Sequence, residues 1–207
     1  MYLSNSEEAM NIIDLENISK QLILIGKKVY ERGYVDANGG NLSARVKQYI
    51  IIKRSGASLA NLTLNDFIIG DISSEELKGA SIDYKIHRAI YLLRKDCKCV
   101  IHAHPIYTTA ISLLFDKVFK PLDFESKYYF GEVPIISCDH FKLHDIINST
   151  PKILNKGVFI EKGHGVYAFS NSFSEAFYII ERLEHAAIIA FLKMNELHFK
   201  QFKSNLT

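Results

Sequence analysis

The segment that most limits how this chain can fold runs from Cys97 to Pro105. An apolar stretch, Cys97-Lys98-Cys99-Val100-Ile101, closes on His102-Ala103-His104-Pro105, with charge upstream and proline downstream. Such a run predicts a buried strand. Side chains alternate faces along a strand, so His102 and His104 point the same way, one residue apart, near enough to share a cation. Taken alone, His-x-His is more often a pair of structural or surface histidines. A third imidazole would complete a catalytic type of metal site with one position left open, and His164, set between Gly163 and Gly165, is the best candidate. The helical segment Asp83 to Leu93 comes just before the strand and carries a carboxylate in its first turn. That puts an acid/base, Asp83, near the ion.

Further motifs accompany these: Asp83-x-x-x-His87, Gly39-Gly40-Asn41-Leu42-Ser43-Ala44-Arg45 and Ser55-Gly56. Together, and in this order, they resemble the class II aldolase/adducin family, over about Leu15 to Lys193. The resemblance implies a single domain over residues 1–207, an α/β/α sandwich with a mostly antiparallel central sheet. It also implies zinc held by His102, His104 and His164, with manganese, cobalt or iron as other candidates. The activity it implies is that of a fuculose-phosphate aldolase-like lyase acting on a small ketose 1-phosphate. Such enzymes give dihydroxyacetone phosphate and an aldehyde through a metal-stabilised enediolate, with Asp83 moving the proton.

By the same resemblance Asn41, Ser55, Gly56 and Ser81 grip the substrate phosphate. Glycine lets backbone N–H groups approach an anion, and the hydroxyl and amide side chains add neutral donors. Lys53 or Arg54 could add charge. Ile82 departs from the pattern, because aldolases carry a second serine there, so one phosphate donor is missing. Asp83 is also shorter than the usual glutamate by one methylene, about 1.5 Å of reach. Aspartate at that place is familiar in L-ribulose-5-phosphate 4-epimerases, the first alternative activity; a methylthioribulose-1-phosphate dehydratase-like reaction is another. Against the epimerase, Lys127 stands where those enzymes carry an acid, and no tyrosine follows Tyr178. Glu125 and Tyr129 are loop residues that could contribute instead, since in this family that loop reaches a neighbouring subunit's site. A homotetramer with sites between subunits is implied. A non-catalytic adducin-like scaffold is the alternative of a different class, and it lacks the metal histidines present here.

At 207 residues and 48% hydrophobic, the chain can bury a substantial core of its own. Its net charge of +2 gives no reason to expect nucleic acid or membrane as a partner. Met1 to Met10 are polar and acidic, without the basic start and apolar core of a secretion signal, and a cytoplasmic protein is expected. The three cysteines, Cys97, Cys99 and Cys138, form no disulfide framework. By strand parity Cys97 and Cys99 face away from His102 and His104 and pack into the core.

In chain order, Ile18, Leu22, Leu24, Ile25, Val29 and Tyr30 predict a packing helix over Ile13 to Arg32 that stops at Gly33. Leu42–Val46 and Tyr49–Lys53 read as a hairpin, Thr63–Asp66 as a capped turn, and Phe67–Ile72 as a strand. A helix over Ile106–Phe115, a strand over Val133–Ser137, a helix over His140–Asn148 and strands at Gly157–Ile160 and Val166–Phe169 follow. The last element is a long helix from Ser172 to about Leu197, with a capping box at Ser172-Phe173-Ser174-Glu175 and a core stripe of Ala176, Ile180, Leu183, Ala187 and Phe191. His87 either orients Asp83 or is a buried structural residue; His140, His144, His185 and His198 read as structural or surface.

Overall fold

A computed structural model describes residues 12–204. The N-terminal segment read as lacking a secretion signal, Met1 to Met10, lies outside the described residues, as does the side chain of His198. Helix α1 (Ile12–Glu31) ends where expected, with Gly33 at φ +70°. Its buried stripe is Leu22, Ile25 and Val29, while Leu24 and Tyr30, expected in the packing face, are exposed. At 100° per residue, positions 24 and 30 point about 130° and about 110° away from the centre of the stripe formed by 22, 25 and 29.

Strands β1 (Asn41–Val46) and β2 (Tyr49–Lys53) form the predicted hairpin, with Val46 opposite Tyr49. A 3-10 turn over Leu64–Asp66 follows, and the carboxylate of Asp66 accepts from both the backbone N–H and the hydroxyl of Thr63, which closes it as predicted. Then come β3 (Phe67–Asp71), α2 (Tyr84–Leu93), β4 (Cys99–Ala103) and α3 (Ile106–Leu114). Two elements were not foreseen, β5 (Val118–Phe119) and α4 (Phe124–Phe130). The rest follow closely: β6 (Val133–Ile136), α5 (Leu143–Ser149), β7 (Val158–Glu161), β8 (Gly165–Ser170) and α6 (Phe173–Ser204). The helix expected from His140 begins as a 3-10 turn, His140–Lys142, because the Asp139 side chain accepts from the N–H of Phe141 and tightens the first turn. None of the described helices is long and apolar enough to cross a membrane.

The strands lie in the order β3-β2-β1-β4-β8-β7-β6-β5, and every pairing is antiparallel except β6 with β7. Helices cover both faces. On one side Cys99, Ile101 and Ala103 of β4 join Leu22 of α1, Ile111 of α3 and Leu183 of α6; on the other Val100 joins Ile90 of α2 and Ile147 of α5. The expected α6 stripe is in place, with Ala176, Ile180, Leu183 and Ala187 buried and Phe191 packed against them. Cys99 faces away from His102 as parity requires. Cys97 does not: it packs with Val100, because β4 starts only at Cys99 and alternation does not extend into the preceding turn.

This topology sends the chain past one rim of the sheet repeatedly. Antiparallel steps from β4 to β8 to β7, and the parallel step from β7 to β6, put the C-terminal ends of β4, β6 and β7 on the same rim. The end of β2 and the starts of β1 and β8 join them by the same alternation. The N-terminus of α2 is tied in there too, through the N–H of Ser81 donating to the Lys53 carbonyl at 2.9 Å.

Candidate metal and acid/base site

The predicted histidines meet at that rim. His102 is the fourth residue of β4 and is fully enclosed, His104 follows the strand's end, and His164 lies in the turn from β7 to β8. One ligand atom from each lies within 4.8 Å of the others, and the Nε2 atoms of His102 and His104 are 3.0 Å apart. Nδ1 of His102 donates to the Val166 carbonyl at 3.1 Å, and Nδ1 of His164 donates to the Glu161 carboxylate at 2.7 Å. A proton fixed on Nδ1 leaves the Nε2 lone pair free for a cation. Burial pushes the pKa of His102 well below its ordinary value and that of His104 down as well, which favours the uncharged form that a ligand needs. The donor set fits a divalent ion of the zinc type.

The backbone is cut to this arrangement. A Cβ on Gly165 would come within 2.4 Å of the Ala103 carbonyl and 2.7 Å of His104 Cδ2, so only glycine lets β8 pass this close. Gly40, at φ +66°, is held to glycine in the same way by Val35 and the His102 carbonyl at 2.5 and 2.8 Å. The aromatic ring of Tyr167 stacks on His102, with centroids 4.1 Å apart.

Asp83 immediately precedes α2 and is buried, its side chain turned not to the helix but into the cleft, with Oδ2 3.7 Å from Nε2 of His102. Burial works against its charge, but His102, His140 and Asn41 outweigh that and hold the carboxyl well below the usual carboxylate range. Asn41 donates its amide to Asp83 Oδ2 at 2.6 Å, so this residue, expected on the phosphate, also orients the acid. His140 is the residue whose role was misread. Its Nε2 lies 2.9 Å from Asp83 Oδ1 and its Nδ1 3.1 Å from both oxygens of Glu161. The Asp83 contact, working against burial and helped by Glu161, pushes the His140 pKa up to about 9. A line of polar contacts therefore runs from Asp83 through His140 and Glu161 to His164. Glu161 was not singled out in the sequence either, although a carboxylate ending an apolar strand three residues before a candidate ligand is an unusual thing to bury.

Asn41, Ser55, Gly56 and Ser81 line the same cleft, of about 530 Å³, as the three histidines and Asp83. Lys53 lines it too and is buried, with Nζ donating to the carbonyls of Asn38 and Ala57 at 3.1 and 2.5 Å. Burial lowers the pKa of Lys53, partly offset by Asp83 and Asp66. Arg54 turns away to the Asn65 carbonyl. His87 takes the structural alternative: wholly buried, its Nδ1 pairs with the Ser43 hydroxyl at 2.7 Å. Glu125 and Tyr129 sit on α4 and line a different cavity with Arg32, Tyr34 and Glu181. There the Tyr129 hydroxyl donates to Glu175, and Arg182 lies 4.3 Å over the ring. Within one chain these two do not meet the histidine cleft.

Residues 20–191 match the family described as class II aldolase and adducin N-terminal domain. The chain belongs to that family. An L-fuculose phosphate aldolase of Methanococcus vannielii is 29% identical over 180 residues, covering 85% of this chain and 97% of that protein. A methylthioribulose-1-phosphate dehydratase of Pseudoalteromonas translucida is 28% identical over 181 residues, covering 79% and 85%. The crystal structure of an L-fuculose-1-phosphate aldolase from Thermus thermophilus matches with a TM-score of 0.79 at 25% identity, covering 89% of this chain and 98% of that one. The fold is the class II aldolase fold, and class II aldolase family members with sugar-phosphate substrates are the setting in which the cleft is to be read.

Proposed function

We propose that this chain, folded as one domain over residues 1–207, is a zinc-dependent aldehyde-lyase. It would cleave a small ketose 1-phosphate to dihydroxyacetone phosphate and an aldehyde, and condense them in reverse. The observation that carries this is a carboxyl group, that of Asp83, enclosed beside three imidazoles in one cleft. His102, His104 and His164 would hold the ion, and manganese, cobalt or iron suit the same ligands less specifically. When bound, the ion supplies Lewis acidity toward a substrate carbonyl.

The chain's own groups do the rest. Asp83, held ionised, takes the proton from the carbon next to the carbonyl of dihydroxyacetone phosphate in the condensation direction and returns it in cleavage. Asn41 and His140 fix the two carboxylate oxygens, which limits Asp83 to one approach. Ser55, Gly56 and Ser81, with the second amide hydrogen of Asn41, bind the phosphate, and the buried charge of Lys53 compensates for the hydroxyl that Ile82 does not provide. Glu125 and Tyr129 would serve a neighbouring subunit's cleft in a cytoplasmic homotetramer.

Aspartate rather than glutamate at 83 favours, as a second reading, epimerisation of an L-ribulose-5-phosphate-like substrate, and the dehydratase relative supports loss of water as a third. Incubating zinc-loaded protein with a panel of ketose phosphates separates them. Release of dihydroxyacetone phosphate supports the lyase, an isomeric pentulose phosphate the epimerase, and a product lighter by the mass of one water the dehydratase. No turnover of any member, together with absence of stoichiometric metal, would point to a scaffold.

A further inference from the structure

Glu161 closes β7 with only 3% of its surface exposed, and its carboxylate faces two imidazoles. Nδ1 of His140 lies 3.1 Å from each carboxylate oxygen, so that ring is set evenly across the pair, and Nδ1 of His164 lies 2.7 Å from Oε2. The other nitrogen of His140, Nε2, faces Oδ1 of Asp83 at 2.9 Å. A carboxylate at one imidazole nitrogen is the arrangement by which proteins aim the other nitrogen at a metal. With its Nε2 proton directed at Asp83, a neutral His140 turns the Nδ1 lone pair toward Glu161, and two acceptors so close repel unless a proton or a cation lies between them. His140, Glu161 and His164 each offer a ligand atom, all within 4.8 Å of one another, and all three line the histidine cleft, from which an ion can enter.

We propose that His140, Glu161 and His164 form a second divalent-cation site, with His164 shared: one ring nitrogen serves the ion held with His102 and His104, and Nδ1 serves the second ion. The sharing rests on the three-imidazole metal reading of the cleft; the second site itself does not. Its ion replaces positive charge with positive charge, since the proton on Nδ1 of His164 and the one between His140 and Glu161 leave as the cation enters. Around a tetrahedral ion with bonds of about 2.1 Å the donors stand about 3.4 Å apart. The separations of 2.7 and 3.1 Å therefore need to widen by less than about 1 Å. Two imidazoles with one carboxylate are a common donor set for zinc, and nitrogen-rich sites also suit copper(II). The three-imidazole position leaves the proton between His164 and Glu161 in place, so it fills first.

The test counts zinc and needs no turnover, so the reaction catalysed does not enter. Purified protein is dialysed to equilibrium against a rising series of buffered free zinc concentrations, and bound metal per chain is read by atomic emission. Zinc should bind in two steps, to one and then two equivalents. His140→Ala should keep the first step and lose the second. Glu161→Gln, which keeps the shape of the side chain, should also stop at one equivalent, with its first step displaced to higher zinc. Saturation of the unaltered protein at one equivalent that His140→Ala retains overturns the second site and leaves the three-imidazole position standing. One equivalent that His140→Ala abolishes overturns the three-imidazole position instead. Two equivalents in both variants mean zinc held elsewhere on the surface, and overturn the second site. No bound zinc overturns both.

Discussion

Glu161 accepts from two imidazoles at once, His164 and His140, and through them it touches both the cation ligands and the acid. Its replacement is therefore informative. Glu161→Gln should weaken zinc binding by about 10–100-fold, read by competition with a chromophoric chelator, because one neutral amide oxygen is left to accept from two imidazoles and the charge that raises the basicity of His164 is gone. Asp83→Asn should keep stoichiometric metal and abolish turnover; a variant with full activity would remove Asp83 from the chemistry. The candidate ligand histidines were legible because His102 and His104 are two residues apart at the end of one strand and His164 stands in a glycine-flanked turn that matches the family's motif order. Glu161 and His140 were not, since nothing in their spacing links residue 140 to residue 83. Only the folded chain brings those side chains within 2.9 Å.

At the level of elements, the period of apolar residues marked α1, the hairpin and α6, and they stand where that period put them. Helix α4 escaped because its seven residues make fewer than two full turns, too few to show a period, and it is held chiefly by the Asp123 side chain accepting from the Ser126 N–H at 2.9 Å. Helix α3 has a more remote brace. The buried carboxylate of Glu184, on α6, accepts from the N–H groups of Tyr107 and Thr108 at 2.9 and 2.8 Å, closing the helix that begins two residues after His104. Glu184→Ala should cost about 1–3 kcal/mol in urea unfolding, the usual loss when buried donors are left without a partner. Leu183→Ala, one residue away but pointing into the core, should cost about 2–5 kcal/mol through the cavity it leaves. Comparing the two variants' zinc affinity separates them: only the loss of Glu184 should loosen the segment carrying His104.

For the whole molecule, acid should weaken the fold through its buried histidines. Burial, against the opposing pull of Asp83, lowers the His87 pKa from 6.5 to about 4 in the folded protein. Between those values the unfolded chain binds a proton that the folded one does not, so this contribution to stability is full above pH 6.5 and is lost as pH drops to 4. A loss of about 3 kcal/mol is expected, followed as the shift in urea midpoint with pH. Asp83, whose pKa is also depressed, adds a further loss once pH drops below the ordinary carboxylate range. His87→Gln should make the first of these limbs shallower, leaving the part that His102 and His104 share with it, and leave the second unchanged.

Because β4, β6 and β7 all finish at one rim, their other ends, with the Lys47-Gln48 turn of the first hairpin, belong to a border that carries none of the proposed chemistry. That border is a natural handle. A peptide tag spliced between Lys47 and Gln48 would anchor the molecule to a bead or sensor chip with its cleft facing the liquid.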